Sequence, residues 1–195
     1  MKNYLLCLFL LLALALPSWA VTVCGITFAD YAFADDIGTY SGSWGATGTA
    51  LRDLLIGTTV GDSAMSTDTA AYVNILFINN AIKNGTGADL AIFEESGTGS
   101  SGAAGCQLSI TINGINKAYI PYWVSGTTYV AYIDLTDFSV ATNALISTLQ
   151  IRGAASDPEY TAFGAINTVF IPEPASLILL GIAGLFLTFG RKFVR

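Results

Sequence analysis

No histidine occurs anywhere in the chain. Its absence removes the usual general base of Ser/His/Asp and Cys/His nucleophilic sites, together with the imidazole ligands of most catalytic zinc and non-haem iron centres. Cations are scarce as well, with eight Lys and Arg against fourteen Asp and Glu. The imbalance is sharper in the middle. Residues 21–170 hold thirteen of the acids but only Arg52, Lys83, Lys117 and Arg152, a net charge of −9. Phosphate backbones are bound mainly by Lys and Arg, so nucleic acid is excluded as a direct partner, whereas neutral sugars remain compatible. No Gly-rich stretch is followed by a Lys and a helix, so no nucleotide loop is expected, and no cofactor is. Repeats of fixed period and strand–helix–strand alternation are also missing, which sets aside solenoids and parallel α/β folds.

Three cysteines are present, Cys7, Cys24 and Cys106. Cys7 lies in an apolar leader. Cys24 and Cys106 form an even pair in a chain that reads as exported, where disulfides persist. Bridged, they would close a loop of about 80 residues and stabilise the fold by about 4 kcal/mol in the chain-entropy model. The alternative is a pair of buried free thiols.

The apolar residues are concentrated at the two ends. Residues 1–20 have the form of a secretory signal: Lys2, an apolar stretch from Leu5 to Leu16, then Pro17-Ser18-Trp19-Ala20 with small residues where cleavage occurs. Residues 171–195 read Ile-Pro-Glu-Pro, sixteen uncharged residues from Ala175 to Gly190, then the basic tail with Arg191, Lys192 and Arg195. As a helix the apolar run is ~24 Å long, shorter than the ~30 Å hydrocarbon core, though flanking cations can snorkel. Basic residues without acidic neighbours stay cytoplasmic, so the leader and the tail predict one topology, with residues 21–170 outside the inner membrane.

Between the ends the pattern is strand and turn. Gln107 to Ile112 alternates apolar and polar residues, Asn113-Gly114 supplies a two-residue hairpin turn, and Ile115 to Ile120 returns. Val21 to Phe28, Tyr72 to Ile78, Leu90 to Glu94, Thr127 to Leu135, Leu145 to Arg152 and Phe163 to Phe170 are further strands. Tyr31 to Gly48 and Ser96 to Gly105 are Gly/Ser-rich loops, and Ala50 to Leu55 has room for one helical turn. The expected fold is all-β, an antiparallel, jelly-roll-like β-sandwich ectodomain.

The order Pro172-Glu173-Pro174, short apolar helix (175–190), basic tail (191–195) at the extreme end resembles the PEP-CTERM sorting signal of Gram-negative bacteria. That resemblance implies processing by exosortase, a membrane-embedded cysteine transpeptidase, and passage to the cell surface or extracellular matrix. Two prolines hold the segment around Glu173 extended, the form that protease clefts accept. The segments Gly87 to Glu94, Ile133 to Leu135 and Gly164 to Ile166 also resemble β-sandwich ectodomains that precede such signals, a likeness that brings no catalytic residues with it.

Several residues are candidates for chemistry. Glu94 and Glu95 are adjacent on a strand, point to opposite faces and so cannot flank one glycosidic bond; they are read as solvated or turn-stabilising acids. Asp134 and Asp137, near a strand end, are the calcium candidates, although no metal-ligand spacing is present. Trp44, Tyr122 and Trp123 could stack on sugar rings if exposed. The expectation is therefore a non-catalytic, exosortase-processed surface or matrix protein associated with exopolysaccharide. The alternative is a carbohydrate-binding module, Ca²⁺-assisted, resting on the aromatic residues.

Overall fold

The computed structural model describes residues 20–95 and 105–171. Residues 1–19 of the leader expected over 1–20, residues 96–104 of the expected Gly/Ser-rich loop, the Pro172-Glu173-Pro174 motif, the apolar run and the basic tail with Arg191, Lys192 and Arg195 lie outside the described residues. What is described is mostly strand, in antiparallel sheets.

Two five-stranded sheets form the body. The first has the order β10 (Tyr122–Ser125), β11 (Thr128–Ile133), β7 (Leu90–Glu95), β14 (Glu159–Ala165), β4 (Ala64–Met65). The second runs β3 (Asp36–Ser41), β5 (Tyr72–Leu76), β13 (Thr148–Arg152), β8 (Leu108–Ile112), β9 (Ile115–Tyr119). Alternation decides which side chains meet. Leu90, Ile92, Ile133 and Phe163 from the first sheet share one apolar cluster with Val73, Ile75, Ile110, Leu149 and Ile151 from the second. Full burial of such side chains stabilises by about 1.5–3 kcal/mol each, which is ample reason for this register.

Strand β7 is buried on both faces, as its continuous Leu-Ala-Ile-Phe run requires. Its other face is covered by a hairpin of β1 (Ala20–Val23) and β2 (Ile26–Ala29), whose Val23 and Phe28 pack on Ala91, Phe93, Val130 and Ala162. The approach is close: a Cβ on Gly164 would lie 2.7 Å from the Phe28 ring. A three-stranded sheet of β12 (Leu145–Ile146), β6 (Asn80–Lys83) and β15 (Thr168–Phe170) completes the described strands.

The hairpin of β8 and β9 has the expected register, with Asn113 at φ 50° and Gly114 at φ 75° in its turn. Five readings change. Leu145 to Arg152 and Phe163 to Phe170, each expected as one strand, both divide between sheets, as β12 and β13 and as β14 and β15. Val21 to Phe28 is not one strand, because Cys24 (φ 49°) and Gly25 (φ 82°) make a tight turn in the middle of it. The loop expected over 31–48 contains β3, which a bulge between Ile37 and Tyr40 lets pair with β5 despite its Gly38-Thr39 sequence. The short helical turn is a full helix, α1 (Gly48–Leu55), anchored by buried Leu51 and Leu55 one turn apart and by Arg52, which binds the Asp36 carboxylate at 2.8 Å and the Asp35 carbonyl at 2.8 Å. That guanidinium holds the Asp36 carboxyl below its ordinary range.

Candidate functional site

Glu94 stands directly opposite Tyr129 on β11 and Tyr160 on β14, so the three side chains occupy one row on the core face of the first sheet. The carboxyl is fully buried, and neither of its oxygens has a hydrogen-bond partner of normal geometry. The Tyr129 hydroxyl beside it is also buried and unpartnered, whereas the Tyr160 hydroxyl is tied to the Ser109 and Arg152 backbone. The main chain presses down on this row. A Cβ on Gly105 would lie 2.5 Å from Glu94 Oε2 and 2.6 Å from Pro121. Loss of solvent pushes the Glu94 carboxyl up to about 7; the Cys106 amide and thiol facing it offset part of that, and the charge of Glu159 adds to it. Burial, with the Glu94 charge second, pushes the Cys106 thiol up as well.

Sequence reading missed this feature. Glu94 is no solvated acid, and the available signal was its place at the end of the run Leu-Ala-Ile-Phe, where a chain buried on both faces must bury the next residue too. Glu95 does turn to the other face and accepts hydrogen bonds from the Thr127 and Thr128 hydroxyls. A single neutral carboxyl beside a thiol and a phenol can exchange a proton, but its strand neighbour is on the wrong face to act as the second acid of a glycosidase pair.

The other candidates separate. Trp44 is 1 % exposed, its ring 6.2 Å from Tyr160 and its indole N–H donating to the Ser41 carbonyl at 3.0 Å. It is a core residue and not the sugar platform expected of it, because the Gly/Ser-rich segment around it folds over the apolar cluster and does not stand out from it. Tyr122 is 50 % exposed on edge strand β10, with its ring 5.6 Å from that of Tyr132. Trp123 is half-buried and donates to the Gly126 carbonyl at 2.9 Å. Tyr122 pairs with Val130 and Trp123 with Tyr129, which puts them on opposite faces, so they do not form one platform.

Asp134 caps a 3-10 turn (Leu135–Phe138) by accepting from the Thr136 amide at 2.8 Å. Asp137 accepts from the Tyr119 hydroxyl at 2.9 Å and lies 3.8 Å from Lys117 Nζ. Both carboxylates are engaged with protein groups, and among the described residues no three Cys, Asp or Glu side chains gather as metal ligands do.

Cys24 and Cys106 are free thiols. The expected bridge is not formed, for a topological reason: Cys24 packs with Phe93 and Val130 on one face of the first sheet, while Cys106 meets Glu94 on the other. Five strands of backbone stand between the two layers.

The outer face of the second sheet is polar across all five strands. Asn116 donates to Thr111 at 2.8 Å, Gln150 to Asn74 at 3.1 Å and Asn74 to Thr39 at 2.7 Å. No family model, no curated protein and no solved structure matches the chain.

Proposed function

We propose that the chain is an exported, non-catalytic surface or matrix protein, delivered by a PEP-CTERM-like tail that exosortase processes, and that it works in association with exopolysaccharide. The observation that carries this reading is the order Pro172-Glu173-Pro174, sixteen uncharged residues and a basic end, opposite a leader that predicts the same topology. The expected jelly-roll-like sandwich belongs to the same reading and is supported by the single core shared by the two five-stranded sheets. An acidic domain with its polar sheet face outward suits life in water or a hydrated glycan matrix. The test is the carboxy-terminal mass of the mature protein from hosts with and without exosortase. Loss of Ala175 to Gly190 only where the enzyme is present is expected; an intact apolar run in both hosts overturns the sorting half.

A second reading, carbohydrate binding, is favoured by Tyr122, a half-exposed ring braced by Tyr132 on an edge strand. Binding on a glycan array that is lost in Tyr122→Ala and kept in Trp44→Phe would support it. A flat array with the wild-type chain would remove it.

A further inference from the structure

The exposed apolar residues are unevenly placed. Of the ten large apolar side chains that are exposed among the described residues, six, namely Ile78, Leu145, Ile166, Val169, Phe170 and Ile171, lie in the β12·β6·β15 sheet or within two residues of it. Phe170 is 51 % exposed and Ile78 58 %. These two are brought together because Phe170 pairs with Asn80, two residues from Ile78, and the Ile171 amide extends that pairing by donating to the Asn79 carbonyl at 2.8 Å. The Tyr31 ring, 5.3 Å from that of Phe170, extends the patch. Of the acids around it, Asp35 is occupied, its Oδ2 accepting from the amides of Ile78 and Asn79 at 2.6 and 3.1 Å, while Asp30 beside Tyr31 is exposed at the rim. The cation of this sheet, Lys83, has no carboxylate within ion-pair distance among the described residues.

The chain leaves the fold from the middle of this patch. Only Pro172, Glu173 and Pro174 separate Ile171 from the apolar run that begins at Ala175. Four extended steps reach ~14 Å at most. If that run crosses the bilayer, as the proposed sorting reading on which this step rests requires, the patch is held within ~14 Å of the lipid surface. Apolar rings at that depth belong to the interfacial zone, where burial of their surface is favourable. The geometry points to a membrane-contact face: in the anchored precursor, Ile78 and Phe170 rest on the lipid headgroup layer and fix the orientation of the domain. The sheet end bearing Glu95 and Thr128 is then distal, because β7 and β11 run away from the Leu90–Ile133 pair for six residues, roughly 17 Å.

The test uses the full chain in phosphatidylcholine vesicles, with a photoreactive diazirine amino acid placed at position 78, 170 or 125. All three sites are exposed, so the core is untouched, and an unchanged Tm checks this. Lipid adducts, read by mass, are expected at 78 and 170 at a level at least fivefold above Ser125 in the distal turn. Equal adduct levels at the three positions overturn the proposal. Carbonate extraction separates the two ways to fail: a chain retained in the membrane without adducts at 78 and 170 defeats the contact face alone, whereas a chain released from it defeats the anchor reading and the contact face together.

Discussion

Strand β7 carries a buried acid at each end, and the two are treated in opposite ways. Asp89, just before the strand, accepts from the Gly85 amide at 2.7 Å, the Leu135 amide at 2.9 Å and the Asn167 side chain at 2.8 Å. Glu94, at the far end, is faced by the Cys106 amide and thiol, but neither oxygen has a hydrogen bond of normal geometry. Both are fully buried. Burial alone therefore does not decide what an acid does; the donors around it do. Asp89 ties the turn at 84–89, the start of the 3-10 turn and the entry to β15 into one knot, whereas Glu94 leaves the opposite end dependent on a proton.

The most destructive way to break this contrast is Asp89→Ala. It leaves two backbone amides and the Asn167 side chain without their acceptor, and we expect a loss of about 3–5 kcal/mol in urea denaturation. A loss below about 1 kcal/mol would show that water replaces the carboxylate freely.

Glu94 should give a pH effect of smaller size. Its carboxyl titrates near 7 in the fold against 4.5 as the ordinary value. Between those values the folded protein holds a proton that the unfolded chain has released, so stability falls as pH rises through this window and levels off above it. The wild type should be less stable at pH 8 than at pH 5 by on the order of 2–3 kcal/mol. Glu94→Gln should flatten that slope. With no histidine in the chain, the window contains no imidazole titration to confuse the reading. An unchanged slope in Glu94→Gln would place the proton elsewhere.

Gly105→Ala sharpens the same end by steric means. The new methyl meets Glu94 Oε2 at 2.5 Å and Pro121 at 2.6 Å, so the segment must shift, at a cost of about 1–2 kcal/mol in thermal or urea unfolding. Smallest of all is Phe170→Ser at the exposed patch, expected to change stability by no more than about 0.5 kcal/mol, since its ring is half in solvent.

The hairpin 108–119 was readable in the sequence because three kinds of signal coincide there: strict alternation, an Asn-Gly turn and β-branched residues. The all-β class was readable for the same reason over most of the chain. Strand β3 was not, since Gly38, Thr39 and Ser41 look like loop residues and only pairing with the apolar β5 makes them a strand. Trp44 and Glu94 were misjudged for a related reason. Which side of a sheet is covered, and by what, depends on the distant β1–β2 hairpin and on segment 105–106, neither of which leaves a local mark. Alternation separates Glu94 from Glu95 but does not say that the core side closes over one of them. The same limit applied to Cys24 and Cys106, whose even count and export context are blind to the sheet between them.

The bond from the Ile171 amide to the Asn79 carbonyl also sets where erosion of the polypeptide from its carboxyl end would stall. An exopeptidase needs a free, extended terminus, and to pass residue 171 it must first peel β15 from β6. Every described hydrogen bond of that strand is made at or before Ile171. A product that keeps Ile171 thus retains every described bond of β15, whereas one cut within 168–171 has lost part of the pairing with β6.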